Sequence, residues 1–201
     1  KISEKINADW NDVITELLED PRIGKYAYLR PGLGISGGNL ERDLKNISDI
    51  GKKHIVNVNM INSIIKLSIY SKKWLERILE NKLQLDNIKN VAILGLAYKE
   101  NTDSMKNSPS IELIKNIKKF NYNVYDPLIK KTNIKAVKHS NNWMDCVQSS
   151  DLLIISTPWK SFKDLNLKKI KVMMKKNIII DPYSILSKKE ALNLGFKYFS
   201  L

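Results

Sequence analysis

Asn90-Val91-Ala92-Ile93-Leu94-Gly95-Leu96 is the stretch that decides the fold. After Asn90 it is a short apolar run, Val91 to Leu94, too short for a helix and closed by Gly95, which is how a strand buried on both faces reads. The pattern then repeats downstream. Ser108-Pro109 opens a helix expected to run through Phe120, with Ser as N-cap and Pro at the first helical position. Tyr122–Tyr125 reads as a strand ending at Asp126, Trp143–Ser149 as a short helix and Leu152–Thr157 as a strand. Leu167–Met174 reads as a helix and Asn177–Asp181 as another strand. Short apolar runs alternating with helices mean βαβ units and a parallel sheet. Residues 88–201 are therefore expected to form a doubly wound α/β domain.

Upstream of the polar connector Asp86-Asn87-Ile88-Lys89 the period changes. From Leu40 to about Glu80 apolar residues recur every three or four positions, a pattern longer than one globular helix. Gly51 is expected to divide it into two helices, the second long enough to act as a spine between domains or subunits, with intrachain packing as the equal alternative. Residues 1–20 carry Ile2, Ile6, Val13, Ile14, Leu17 and Leu18 at helical spacing, which predicts a helix pair or a bent helix with Asp9 as a cap before Trp10. Residues 1–87 thus form a helical region, interrupted by a glycine loop at 28–43. That loop, Tyr28-Leu29-Arg30-Pro31-Gly32-Leu33-Gly34-Ile35-Ser36-Gly37-Gly38-Asn39, lets backbone approach a ligand closely, or else is a structural turn. Gly32, Gly34 and Gly37 fit GxGxxG nominally. A dinucleotide fingerprint, however, lies between a strand and a helix and is followed by a second strand with an acidic end, whereas here a long helical region follows.

The 201 residues, 43% of them hydrophobic, suffice for a real core. A formal charge of +13 and a pI near 9.6 invite a nucleic-acid reading, but the lysines are scattered through every segment. Only Arg22, Arg30, Arg42 and Arg77 supply the planar fork suited to phosphate, so a phosphate-bearing small ligand fits better than nucleic acid. Cys146 is the only cysteine, which excludes an intrachain disulfide and a cysteine-rich zinc site and suits a reducing cytoplasm. No apolar run has membrane-spanning length, no metal site is indicated, and Lys1 opens into a polar, helix-like stretch rather than a signal peptide. The chain is accordingly read as beginning within a longer protein.

Three blocks then stand in order: Asp20-Pro21-Arg22-Ile23-Gly24; Gly34-Ile35-Ser36-Gly37-Gly38-Asn39-Leu40-Glu41-Arg42-Asp43; and Leu94-Gly95-Leu96-Ala97-Tyr98-Lys99-Glu100-Asn101-Thr102-Asp103-Ser104-Met105-Lys106-Asn107-Ser108-Pro109-Ser110. With Tyr125-Asp126-Pro127, Ser150-Asp151, Thr157-Pro158-Trp159 and Ile180-Asp181-Pro182, they resemble the signature blocks of the UDP-glucose/GDP-mannose dehydrogenase family over nearly the whole chain. The resemblance implies an enzyme with an N-terminal NAD-binding domain that this chain lacks, a central helical region forming a homodimer through its long helix, and a C-terminal Rossmann-like domain holding the nucleotide. The implied activity is oxidation of the C6 alcohol of a UDP- or GDP-sugar towards the uronic acid, feeding cell-envelope or capsule polysaccharide synthesis. The implied cofactor is NAD, and the chain alone is expected not to turn over.

Family chemistry passes an aldehyde through a cysteine thiolate to a thioester. Setting the loop on the family's G-x-G-G-x-C-x-x-K-D places Asn39 at the cysteine, Arg42 at the lysine and Asp43 at the aspartate, and no register supplies a thiol. Asn39 and Asp43 are thus the candidate catalytic pair, with Asn39 holding an aldehyde or its hydrate and Asp43 orienting water. Alternatively oxidation stops at the aldehyde, the site is degenerate, or Asn39 is simply a loop cap. The resemblance assigns Arg22, Tyr28, Leu29, Arg30, Gly34 and Lys99 to substrate, with Arg22 reaching the partner subunit's site, and Arg42 and Lys106 to cofactor. Arg22 as a surface salt bridge and Tyr28 as a packing residue are the plainer readings. Asp181-Pro182-Tyr183-Ser184 stands where the family has Asp-Gly-Arg-Asn. Cys146 is read as a packed core thiol. The rival function is a nucleotide-sugar-binding and dimerisation module without catalysis.

Overall fold

A computed structural model of the chain describes residues 2–6, 8, 10–83, 87–135 and 137–201. The expected cap at Asp9 and the first residue of the connector, Asp86, lie outside the described residues. Helices α1 (Ile2–Ile6) and α2 (Trp10–Glu19) form the expected helix pair. The Trp10 indole ties α2 to the glycine loop by donating to the Leu29 carbonyl at 2.9 Å.

The long helical pattern resolves into three helices, not two: α3 (Asn39–Lys53), α4 (Asn59–Lys72) and α5 (Trp74–Lys82). Gly51 does not break the helix. It lies inside α3, and the chain turns back after Lys53 so tightly that a Cβ on Gly51 would stand 2.3 Å from Val58 Cγ1. The stop is a Schellman arrangement, with Val56 N–H donating to the Gly51 carbonyl at 2.8 Å and Ile55 N–H to the Lys52 carbonyl at 3.2 Å. Ile55 takes the left-handed position, φ 58°, that glycine normally fills. The expected spine is bent at Lys73. Arg77 pins the bend, its guanidinium 3.7 Å from the Tyr70 ring centre and donating to the Tyr70 carbonyl at 2.5 Å. Beyond the bend, Trp74, Leu75 and Leu79 of α5 are buried in the main core.

The remainder is a six-stranded sheet built from β1 (Asn90–Leu94), β2 (Asn121–Tyr125), β3 (Val137–His139), β4 (Leu152–Ile155), β5 (Ile178–Ile180) and β6 (Lys197–Phe199). Every pairing is parallel and the order is β3-β2-β1-β4-β5-β6. The crossovers carry α6 (Pro109–Asn116), α7 (Trp143–Val147), α8 (Leu167–Met173) and α9 (Lys188–Asn193). This is the expected doubly wound α/β fold, with β4 and β1 from Val91 onward apolar and buried because helices cover both faces. α6 stops at Asn116 rather than Phe120, since Ile117 turns out of the helix and Phe120 enters the core edge-on to Tyr122. β3, β6 and α9 carry no apolar run and had no sequence signal.

Three buried aspartates staple the sheet ends. Asp151 accepts from Lys89 N–H and Asn90 N–H at 3.0 and 2.9 Å. Asp181, after β5, accepts from Leu186 N–H and the Tyr198 hydroxyl at 2.8 and 2.7 Å. Burial raises the Asp181 pKa, against those hydrogen bonds. Asp126 sits at the switch in strand order and is described with the site.

Candidate functional site

The glycine loop is wedged between α4 and the connection leaving β1. Gly34 has φ 84°, and a Cβ there would stand 2.6 Å from the Ser68 carbonyl oxygen of α4, so backbone packs on backbone. Ser68 Oγ accepts from Ile35 N–H at 2.9 Å, and Leu33 is buried in the core. On the other side Gly37 N–H donates to the Lys106 carbonyl at 3.1 Å, and the Tyr98 ring covers Gly37. Asn107 Nδ2 donates to the Gly37 carbonyl at 2.6 Å and also to the Glu41 carboxylate, which pairs with Lys72.

A cavity of about 450 Å³ opens between these elements. Tyr28, Arg30 and residues Gly32 to Ser36 form one wall, and Ile64, Leu67, Ser68 and Ser71 of α4 another. Tyr98, Lys99, Pro158 and Tyr183 close the side toward the sheet. Its volume falls in the range of small-molecule sites, and it combines apolar walls with a guanidinium, an ammonium and hydroxyls. Tyr28 is almost fully exposed, so it does not act as a packing residue within the chain. The Tyr183 phenol is pushed well above its ordinary value, chiefly by burial and then by Tyr28, so it is a neutral donor or acceptor in this wall.

Of the residues expected to hold substrate, Tyr28, Arg30, Gly34 and Lys99 line the cavity. Leu29 does not, and Arg22 instead grips Asp20 by two guanidinium nitrogens with Nη2–Oδ2 at 2.6 Å, its side chain 89% exposed. The plainer salt-bridge reading of Arg22 is therefore the one seen within a single chain. The candidate catalytic and cofactor residues gather elsewhere, at the far end of the loop. Asn39 is the exposed first residue of α3, with Gly38 at the cap position before it. Arg42 pairs with its neighbour Asp43 at 3.2 Å, both well exposed. The Lys106 chain lies over Gly38, the residue before Asn39, where a Cβ would stand 2.5 Å from its Nζ. Tyr98, Ser68, Ser71 and Tyr183 were not anticipated as lining residues. Tyr98 and Tyr183 lay inside motif blocks, but Ser68 and Ser71 are small polar residues of a helix and give no signal alone.

At the switch point between β1 and β4, doubly wound folds commonly cradle a dinucleotide, with glycines after β1 and an acid after β2 contacting ribose. Here the acid is occupied by the protein itself. Asp126 Oδ2 accepts from Leu96 N–H, Ala97 N–H and Trp159 Nε1 at 2.7, 3.1 and 3.2 Å, and Oδ1 from Leu128 N–H and Ile129 N–H at 2.9 and 3.1 Å. The β1 turn thus offers its amides to Asp126 rather than to a pyrophosphate. The thiol is no substitute nucleophile: Cys146 is fully buried, its Sγ donating to the Asn123 carbonyl at 3.2 Å, and burial pushes it up to about 12. Among the described residues no cluster of His, Cys, Asp and Glu suits a metal ion, and no helix is long and apolar enough to cross a membrane.

A Rossmann-type parallel domain is thus joined to a glycine-loop helical arm, with a cavity lined by both and the amides after β1 taken by Asp126. Two family profiles fit this arrangement: the central domain of the UDP-glucose/GDP-mannose dehydrogenase family matches residues 1–68, and that family's UDP binding domain matches residues 92–188. The chain belongs to this family. It is similar to the UDP-glucose 6-dehydrogenase of Rickettsia bellii, 32% identical over 212 residues, covering 100% of this chain and 48% of the relative. It also resembles UDP-glucose 6-dehydrogenase YwqF of Bacillus subtilis, 28% identical, covering 100% and 47%. The chain therefore spans about half the length of these relatives. Among solved structures, a UDP-glucose dehydrogenase from Pyrobaculum islandicum superposes with a TM-score of 0.80 at 20% identity, covering 98% of this chain and 44% of that one. A UDP-D-ManNAc dehydrogenase from Pyrococcus horikoshii gives 0.75 at 22%, covering 99% and 45%, and both likenesses speak to the fold.

Proposed function

We propose that this chain is the substrate-holding part of an NAD-dependent nucleotide-sugar dehydrogenase that oxidises the C6 alcohol of a UDP- or GDP-sugar towards the uronic acid. The observation that carries the reading is the cavity where Tyr28, Arg30, Gly34 and Lys99 meet. Arg30 and Lys99 supply cationic groups for a diphosphate, loop backbone runs alongside, and the Tyr98 and Tyr183 rings offer apolar surface to a base or sugar. The helical region 1–87 and the sheet domain 88–201 act as two halves of this clamp.

At the other end of the loop, Asn39, Arg42, Asp43 and Lys106 stand near the reacting carbon in this reading. Arg42 and Lys106 fit an anionic cofactor by charge. NAD, when held by a domain outside this chain, supplies the hydride acceptor. The chain's own residues then hold and hydrate: the Asn39 amide hydrogen-bonds the C6 oxygen, and Asp43, once released from Arg42, accepts a proton from water. An amide cannot form the thioester, so any second oxidation proceeds through the aldehyde hydrate.

A second reading, a nucleotide-sugar-binding and dimerising module without oxidation, is favoured by one specific set of facts. The loop carries no thiol, Asp43 is tied to Arg42, and the sole cysteine is buried. Mixing the full-length protein with NAD and a panel of UDP- and GDP-sugars, and counting NADH per sugar, separates the readings. The dehydrogenase reading expects at least one NADH, with one marking an aldehyde product and two a carboxylate formed through the hydrate. Sugar nucleotide that binds with no NADH from any member of the panel would establish the second reading instead.

A further inference from the structure

One carboxylate joins three separate elements at the glycine loop. Glu41, in the first turn of α3, accepts from Asn107 Nδ2 on the connection after β1 and pairs with Lys72 Nζ at the end of α4. The Lys72 side chain is only 9% exposed, and it runs past Gly34, where a Cβ would lie 3.2 Å from Lys72 Cγ. Asn107 uses its other amide hydrogen on the Gly37 carbonyl at 2.6 Å, and Gly37 N–H is taken by the Lys106 carbonyl. Gly37 thus has both backbone groups tied to the same two residues, Lys106 and Asn107. Asn107 itself holds a left-handed φ of 54°, which asparagine tolerates better than most residues.

We propose that Glu41 is a positioning residue that clamps the glycine loop across α3, α4 and the β1–α6 connection, fixing Asn39 relative to the cavity. An ion pair shielded mainly on the Lys72 side and sharing its carboxylate with an amide is geometrically selective, since removing the carboxylate takes the Lys72 partner away and frees Asn107 from α3. Ser68 anchors the cavity side of the loop independently through Ile35. The clamp therefore controls the end of the loop that carries Asn39, more than the wall that holds the nucleotide. The substrate half of this assignment rests on the nucleotide-sugar reading above.

The test uses the full-length protein with Glu41→Ala, and with Glu41→Gln, which keeps an acceptor for Asn107 but loses the charge. Without ligand, hydrogen exchange is expected to quicken at least about tenfold at Gly37 in Glu41→Ala, while amides of β1 and β4 stay unchanged and Glu41→Gln falls between. With ligand, UDP affinity is expected to stay within about twofold, whereas UDP-glucose weakens about tenfold. A purely structural role would weaken both ligands together. Unchanged exchange at Gly37, or equal losses for UDP and UDP-glucose, would overturn the assignment. Wild-type protein that binds neither ligand would instead overturn the functional reading and the substrate half with it, leaving the exchange result to decide the clamp.

Discussion

Cys146 shows how environment sets the chemistry of a single side chain. With its thiol pushed up to about 12 by burial, Cys146 stays a neutral thiol at pH 8, and the sulfur is enclosed by β1, β2 and α7. The native protein is expected to resist iodoacetamide at pH 8 for hours, while the urea-unfolded chain alkylates in minutes, as mass spectrometry would read. Rapid native alkylation would contradict the core-thiol account and reopen the search for a nucleophile. The packed thiol was legible in the sequence, because Cys146 falls just before an apolar strand. Asn39 was only half legible: its place at the loop's end followed from spacing, but its exposure at the first position of α3 depends on where the helix starts.

At the scale of elements, Ile55 is the clearest local conflict. It occupies the left-handed position of a Schellman stop while 97% exposed, so its side chain contributes no packing to offset the strain. Left-handed backbone costs an L residue roughly 1–2 kcal/mol, and glycine returns roughly 0.5–1 kcal/mol of that as lost chain entropy. Ile55→Gly is therefore expected to raise stability by about 0.5–1 kcal/mol, seen as a higher urea midpoint with unchanged slope; a fall would mean that Ile55 is covered in the native assembly. The same stop explains why Gly51 misled the sequence reading. A glycine in an apolar helical period reads as a breaker, yet here it makes room for Val58 as the chain folds back. By contrast β1, β4 and β5 were legible because strands covered on both faces leave unbroken apolar runs. The edge strands β3 and β6 pair on one side and need no such run. The bend at Lys73 was invisible because Arg77 and Tyr70 create it by a contact across a turn, not by a breaking residue.

Over the whole molecule, the helical arm leaves apolar side chains uncovered on α3 and α4, with Ile47, Ile50 and Met60 more than half exposed. α3 and α4 pack together, with Ser48 Oγ donating to Asn62 Oδ1 at 2.8 Å. A homodimer through this region, as the family resemblance implies, would bury these side chains between α3 and α4 of two copies. Sedimentation should give a dimer for the wild type and a monomer for the double variant Ile50→Glu, Met60→Glu; a monomeric wild type would sink the dimer. The fold class was readable from alternating periodicity alone. The cavity was not, since its walls come from a loop, a helix and three strand ends far apart in sequence. Whether a nucleotide sugar occupies that cavity is most directly tested by hydrogen exchange of the protein with and without UDP-glucose. Protection is expected at residues 28–38, at Tyr98 and Lys99 and around Tyr183; protection absent there, or confined to the crevice around Leu96, Ala97 and Asp126, would contradict it.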